Sequence, residues 1–137
     1  MRTTREQLTR WGARPPAAIA SHDLLHILRV CEATAARCEV KIECLLSRRR
    51  PFRLAEARQV AMAVLRATTL LSLLQIGRTF NRTHGAVIHA CRTIGDRKET
   101  DFRVAWLVRT ITADAKAPRP GIVIDASPSA LELTEWL

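Results

Sequence analysis

Apolar side chains recur every three or four residues along most of this chain, which is the spacing of an α-helix with one buried face. The first such segment is capped by Ser21 and runs to about Arg37. A short second segment, residues 40–46, gives way to an extended loop, because Pro51 disfavours helix at the residue before it. The third segment runs to about residue 69 and has the most regular stripe, made of Leu54, Ala57, Ala61, Val64, Leu65 and Thr68.

Two further short helices are separated by a tight turn. Ser72 and Gln75 have the spacing of a capping box, and the helix that they open is predicted to end near Phe80. Residues 81–83 form the turn, in which Asn81 is expected to adopt the left-handed conformation. The next helix is capped by Thr83 and has one buried stripe. This arrangement predicts a helix-turn-helix whose second helix is packed through Val87, Ala90, Cys91 and Ile94.

The two ends of the chain differ from its centre. Residues 1–20 are basic and broken by Arg14-Pro15-Pro16, which predicts a loose arm. Residues 116–137 are predicted to be an acidic, proline-containing tail with a short terminal helix. Between them, residues 21–115 are expected to form one all-α, compact bundle of about five to six helices. Its last helix, near residues 100–115, is predicted to bury Phe102, Ala105, Trp106, Val108 and either Leu107 or Ile111.

The positive charge of the chain lies in its middle. The formal net charge is +9, and residues 41–98 hold twelve Lys and Arg against three acidic residues, a net charge of +9 on their own. The 39 residues from 99 onward are net acidic. A surface made basic only for solubility would not be segregated in this way. An anionic partner is therefore predicted, and double-stranded DNA fits the helix-turn-helix.

Several side chains of the centre are suited to DNA. On the second helix of the motif, Gly85, His89 and Arg92 point away from the predicted core and would face a major groove. Taken singly, each basic side chain is as well explained by a solvated helix face, and only the cluster favours DNA. The predicted phosphate ligands are Arg48, Arg49, Arg58, Arg66, Arg78, Arg82 and Arg92, and the first two belong with Arg50 to a loop suited to a minor groove.

Four blocks of the sequence resemble the C-terminal DNA-binding domain of the bacterial replication initiator DnaA, over roughly residues 24–112. They are Leu45-Leu46-Ser47-Arg48-Arg49-Arg50, Ala57-Arg58-Gln59-Val60-Ala61-Met62-Ala63, Leu73-x-x-Ile76-Gly77-x-x-Phe80 and His84-x-x-Val87-x-His89-Ala90-Cys91-Arg92-x-Ile94. The resemblance implies a Trp-repressor-like helix-turn-helix that binds duplex DNA at short asymmetric boxes. It also implies that Arg50 enters the minor groove, that Arg58 and Arg66 face the DNA backbone, and that His84 contacts a base.

The chain departs from that family in the residues expected to read bases. The family usually has Asp-His-Thr/Ser-Thr where this chain has Thr83-His84-Gly85-Ala86. A threonine hydroxyl does not accept a hydrogen bond from a cytosine amino group as a carboxylate does, and Gly85 and Ala86 lack hydroxyl groups. The resemblance therefore implies the family's docking geometry, with Thr83, His84, Gly85, Ala86 and His89 at the major groove, but not the family's base preference.

These features predict a sequence-specific DNA-binding protein that regulates transcription. One alternative is an accessory or competitor protein in replication initiation at DnaA-type sites. A second is a DNA-tethered adaptor that binds a protein partner through the acidic tail. No G-x-x-x-x-G-K-[ST] motif occurs in these 137 residues, so we do not expect the chain to act as a self-sufficient initiator. The oligomeric state is open, with a monomer favoured.

An enzyme is the weaker interpretation. His22 and His26, with Asp23 between them, mimic the spacing of a zinc helix, but the polar face of a helix start explains them better. We expect no catalytic activity, no metal and no cofactor. The four cysteines lack C-x-x-C spacing and are expected to be reduced core residues. No apolar run reaches the length of a membrane span, and the expected location is cytoplasmic, with the nucleoid.

Overall fold

Seven α-helices follow one another in the residues that the computed structural model describes, 3–47 and 52–116, and these ranges contain no strand. The all-α prediction is confirmed, with one helix more than expected. The helices are α1 (Thr4–Arg10), α2 (Ser21–Cys38), α3 (Ile42–Leu45), α4 (Phe52–Thr68), α5 (Leu73–Thr79), α6 (His84–Thr100) and α7 (Phe102–Lys116).

The helix α4 lies at the centre of the bundle, and α2, α3, α5, α6 and α7 all pack against it. Its position explains why it is apolar on more than one side. Aromatic side chains are scarce, so aliphatic ones fill the interior, and Phe80 at the end of α5 is the largest side chain that is fully buried. The buried apolar side chains of α4 are Leu54, Ala57, Val60, Ala61, Met62, Val64 and Leu65.

The first 20 residues are not the loose arm that the sequence suggested. Thr3 caps α1 through a capping box with Glu6, and Leu8 on that helix is fully buried. Arg5 holds the following proline segment by donating to the carbonyl oxygens of Pro15 (2.8 Å) and Pro16 (3.1 Å). The prediction was wrong because α1 already ends at Arg10, Gly12 turns the chain with a φ of 104°, and Leu8 and Ala13 keep the segment on the core. The predicted acidic tail beyond Lys116 lies outside the described residues.

Two local details of the sequence-based prediction are also wrong. The cap residue of α2 is Ala20, which offers no side-chain hydrogen bond, and Ser21 is already the first helical residue. On α7, Phe102 is 95% exposed and Trp106 is 45% exposed, because the single residue between α6 and α7 puts Phe102 at a corner. The stripe of α7 that faces the core is instead Val104, Leu107, Ile111 and Ala115.

A buried carboxylate joins three helices on the side of the bundle where α7 lies. Glu56 on α4 is only 8% exposed. Its two oxygens accept from Arg103 on α7 at 2.6 and 2.8 Å, and Arg97 on α6 lies 2.9 Å away. The hydrogen bonds from Arg103, followed by those from Arg97, lower the pKa of Glu56. The charged form of Glu56 is therefore part of the folded structure.

The helix-turn-helix depends on a close approach between α5 and the residues after it. The backbone N–H of Arg82 donates to the carbonyl of Gly77 at 2.7 Å, and Asn81 adopts the predicted left-handed conformation with φ of 59°. A Cβ atom on Gly77 would lie 2.7 Å from the carbonyl oxygen of Arg82, which is too close for any side chain. The backbone at position 77 therefore fixes where α6 begins.

We expect Glu56→Gln to lower the free energy of unfolding at neutral pH by about 1–3 kcal/mol, because it removes the carboxylate shared by Arg97 and Arg103, which are both partly exposed. The pKa of Glu56 is lower in the folded than in the unfolded chain. The stabilisation by its charged form is therefore fully present above the pKa of the unfolded chain, about 4.3, and is lost as pH falls through the pKa of the folded chain. Urea titrations of both proteins between neutral and strongly acidic pH measure this. A gap that stays constant at low pH would contradict the assignment.

Two glycines of the motif should respond to alanine in opposite directions. Gly77→Ala is expected to cost about 1–3 kcal/mol, because the new methyl group meets backbone atoms that cannot move independently. Gly95→Ala, in the interior of α6 with no atom within 4 Å of its Cβ position, should stabilise by about 0.5–1 kcal/mol. Thermal unfolding of the two variants provides the comparison, and equal effects would refute the role given to Gly77.

Candidate nucleic-acid interface

The N-terminal half of α6 projects one polar face from the bundle. Thr83 is the cap residue, as predicted, and its hydroxyl oxygen accepts from the backbone N–H of Ala86 at 3.2 Å. Val87, Ala90 and Ile94 are buried, and Cys91 beside them is partly buried. Because this stripe holds one side of α6 against the core, the opposite side is left open, with exposed Thr83, His84, Gly85, His89 and Arg92.

The first turn of α6 has room for a larger side chain than the glycine at position 85. A Cβ atom on Gly85 would meet only the hydroxyl oxygen of Thr83, at the ordinary distance of 3.8 Å. Glycine is therefore not required there by packing. Ala86 is half-buried, and the imidazole Nε2 of His89 lies 3.5 Å from the hydroxyl oxygen of Thr93. Of the residues predicted at the major groove, Thr83, His84, Gly85 and His89 share the exposed side, and Ala86 lies at its edge.

Three of the predicted phosphate ligands are exposed. Arg78 on α5 and Arg92 on α6 make no side-chain hydrogen bond or ion pair with the part of the chain that is described. Arg66, at the end of α4, donates to the carbonyl oxygen of Leu71 at 3.0 Å, which holds its side chain beside the start of α5. These three guanidinium groups are exposed to solvent on the helix-turn-helix and the end of α4 beside it.

Arg58 is not a surface residue, which corrects its predicted place facing DNA. Its guanidinium is 3% exposed and donates to the carbonyl oxygens of Leu45 (2.9 Å) and Ser47 (2.8 Å). The carbonyls at the end of a helix lack donors within that helix, and Arg58 satisfies those of α3. Helical periodicity alone placed Arg58 off the apolar stripe, but α3 covers that side of α4.

Arg82 is half-buried and also directed to the segment after α3. One of its nitrogens lies 3.2 Å from the carbonyl oxygen of Ser47, and another donates to its neighbour Asn81. The turn of the motif is thereby joined to the residue that precedes the basic loop. Arg48, Arg49 and Arg50, predicted for the minor groove, lie outside the described residues.

Acidic side chains are absent from the sequence around this site and frequent elsewhere. No Asp or Glu occurs between Glu56 and Asp96, a stretch that includes α5, the turn and the first half of α6. On the α7 side, by contrast, arginines are paired with carboxylates. Arg37 contacts Asp114 at 2.8 Å. The other such pairs are Arg53 with Glu39, Arg97 with Glu56 and Asp101, and Arg103 with Glu56.

The sequence analysis missed the contact between the N-terminal segment and the turn. The side-chain amide of Asn81 donates to the carbonyl of Gly12 at 2.9 Å, and the backbone N–H of Arg14 donates to the carbonyl of Thr79 at 3.0 Å. The capping box of Thr3 and Glu6 was a local signal for α1, but nothing local indicates where α1 packs.

The residues considered for metal chemistry do not form a metal site in the part of the chain that is described. No group of three or more potential ligand side chains occurs there. The ring of His26 contacts the hydroxyl of Thr68 at 2.8 Å, and burial, with the nearby Lys116, lowers the pKa of His26. All four cysteines are free, and burial raises the pKa of Cys31 to about 12. Among the described residues, no helix is long and apolar enough to span a bilayer.

Comparison with known proteins agrees with this geometry. Residues 27–94, from α2 into α6, match the family described as the bacterial dnaA protein helix-turn-helix. The chain is 42% identical over 85 residues to the chromosomal replication initiator protein DnaA of Methylacidiphilum infernorum (isolate V4). That match covers 61% of this chain and 18% of the relative, so the chain corresponds to a small part of that protein. Residues 27–94 are thus similar to the helix-turn-helix of bacterial DnaA.

Proposed function

We propose that this chain binds double-stranded DNA sequence-specifically and regulates transcription. The observation that carries the proposal is the exposed start of α6. This helix follows directly on a fixed turn, and the stretch of sequence around it contains arginines but no Asp or Glu. A helix held in this way fits the major groove, where base edges are distinguishable. The arginines would neutralise the flanking phosphates.

In this proposal, the face of α6 contributes His84 and His89 as hydrogen-bonding groups. Both imidazoles are exposed, that of His89 on the side of α6 opposite Val87 and that of His84 in the first turn. Gly85 lies between them and allows the backbone to come close to the base edges. Arg78 and Arg92, which flank this face, serve as phosphate ligands that position α6 without reading sequence.

Arg48, Arg49 and Arg50 are proposed to reach the adjacent minor groove. Support comes from the residue before them, because the carbonyl of Ser47 is held by both Arg58 and Arg82. The entry to the basic loop is thereby joined to α4 and to the turn that precedes α6. A narrow minor groove has a concentrated negative potential that attracts guanidinium groups. Arg58 supports this arrangement from the interior rather than by contacting phosphate.

The base preference of the DnaA family is not proposed for this chain. The hydroxyl oxygen of Thr83 is already engaged by the N–H of Ala86, and no carboxylate stands at that position. Changed base-reading residues on a retained scaffold favour a regulator with its own sites. The second candidate, an accessory or competitor in replication initiation, is favoured by the 42% identity to a replication initiator. A protein partner bound through the tail, residues 116–137, remains compatible with either.

Selection of duplexes from a random pool, followed by mapping of the sites in the source genome, tests the proposal directly. Recovery of one recurrent sequence supports specific binding, and its position upstream of genes separates regulation from replication. Selected sites that match the DnaA box and cluster at an origin would support the second candidate instead. A pool that yields no enriched sequence would contradict sequence-specific binding.

Affinity for duplex DNA is expected to fall steeply as salt is raised, because several arginines displace counterions from phosphates. With four or more phosphates neutralised, the slope of log K against log salt should be about −4 or steeper. Fluorescence anisotropy at five salt concentrations between 50 and 200 mM, roughly the range over which such contacts weaken, measures it. An affinity that stays flat over this range would exclude an electrostatic interface.

We expect wild-type protein to bind a DnaA box little better than a scrambled duplex, and Thr83→Asp with Gly85→Thr to recover part of the preference. Each regained base contact is worth about 1–3 kcal/mol of discrimination. The open Cβ position of Gly85 accepts the new side chain, and aspartate can still cap α6. Titrations of box and scrambled box at one salt concentration decide the point. Strong preference of the wild type for the box would refute it.

A further inference from the structure

Residues 12–14, which precede α2, pack against the end of α5 and the turn that leads into α6. The carbonyl of Gly12 accepts from Asn81 at the turn, and the backbone N–H of Arg14 donates to Thr79 at the end of α5. On its other side, the Cβ position of Gly12 lies 3.8 Å from the carbonyl oxygen of Leu46, just before the basic loop. Residues 12–14 therefore lie between the turn and the start of that loop.

Two arginines of this segment are exposed, and the acidic residue that precedes them, Glu6, accepts from the backbone N–H of Thr3 at 3.2 Å. Arg10 ends α1, and Arg14 follows the buried Ala13. No Asp or Glu occurs between Glu6 and Asp23, and neither guanidinium makes a hydrogen bond or ion pair with the described part of the chain. Arg5 differs, because its guanidinium donates to the carbonyl oxygens of Pro15 and Pro16. Arg14 is thus an exposed cation next to the helix-turn-helix, and Arg10 is a second one at the end of the helix before it.

We propose that Arg10 and Arg14 form a second phosphate-binding surface, which grips duplex DNA next to the site contacted by α6. The inference rests on the proposed DNA binding and goes beyond it, because these residues precede residue 27, where the family match begins. The segment that carries them is fixed by backbone hydrogen bonds to the turn and by Leu8 in the core. It therefore moves as one unit with α6.

Phosphate, rather than a base, is the ligand that this surface fits. Both side chains are long, exposed guanidinium groups without neighbours that would aim them at a base edge. Guanidinium pairs with phosphate in a bidentate manner, and such contacts carry no sequence information. The surface should therefore add affinity equally to every sequence and lengthen the DNA that the protein covers.

The test uses the full chain with Arg14→Gln, with Arg10→Gln plus Arg14→Gln, and with Arg109→Gln as the matched control. Arg109 is an equally exposed arginine without a described partner, but it lies on α7. Among the described residues, α7 packs on α2, α4 and α6 and does not contact α1, α3 or α5. Affinity for two unrelated 24-base-pair duplexes is measured at several salt concentrations, and thermal midpoints verify that the substitutions leave the fold intact.

We expect the slope of log K against log salt to become less steep by about 0.9 for the single substitution and by about 1.8 for the double one. The loss should be the same for both duplexes, and Arg109→Gln should keep the wild-type slope. Arg10→Lys with Arg14→Lys should also keep it, because lysine still neutralises a phosphate.

Slopes of the glutamine variants equal to those of the wild type or of Arg109→Gln would overturn the inference while leaving the proposed function intact. A loss confined to one duplex would overturn it as well, since it would indicate base contacts. Absence of duplex binding by the wild type would remove the proposed function and this surface together.

Discussion

Both the fold and the proposed DNA interface depend on the hydrogen bonds that the buried guanidinium of Arg58 donates. A buried charge is costly unless it is hydrogen-bonded, and here the carbonyls of Leu45 and Ser47 provide the acceptors. One side chain thus closes the end of α3, joins it to α4 and fixes the residue before the basic loop. Arg82 reaches the same Ser47 carbonyl from the turn, so the two parts of the proposed DNA interface share one anchor.

The arginines of this chain fall into two groups with different physical roles. On the α7 side, Arg37, Arg97 and Arg103 are paired with carboxylates, and Glu56 ties two of them to the core. Around the helix-turn-helix no carboxylate is near in sequence, and the exposed Arg78 and Arg92 have no side-chain partner among the described residues. The same residue type therefore stabilises the protein on one side and, in our proposal, binds phosphate on the other.

Local signals predicted the helix-turn-helix well. The capping box at Ser72, the left-handed Asn81 and the cap at Thr83 each involve residues within four positions of one another, so the sequence alone determines them. The failures have a common cause as well. The burial of Arg58 and the packing of α1 depend on contacts between distant segments, which periodicity does not contain. Gly77 of α5 was visible as a motif residue, but the reason for it, a Cβ position 2.7 Å from the carbonyl oxygen of Arg82, appears only in the three-dimensional geometry of the turn.

The contrast between Gly77 and Gly85 has a consequence for how this protein can change over time. At Gly77 any added atom meets the backbone, whereas at Gly85, eight residues later, a Cβ atom would make only an ordinary contact with the hydroxyl of Thr83, at 3.8 Å. In our proposal, substitutions at the start of α6 alter which bases are read, and at Gly85 they need not disturb the scaffold that presents them. Such a chain can change its target sites over time while keeping its fold.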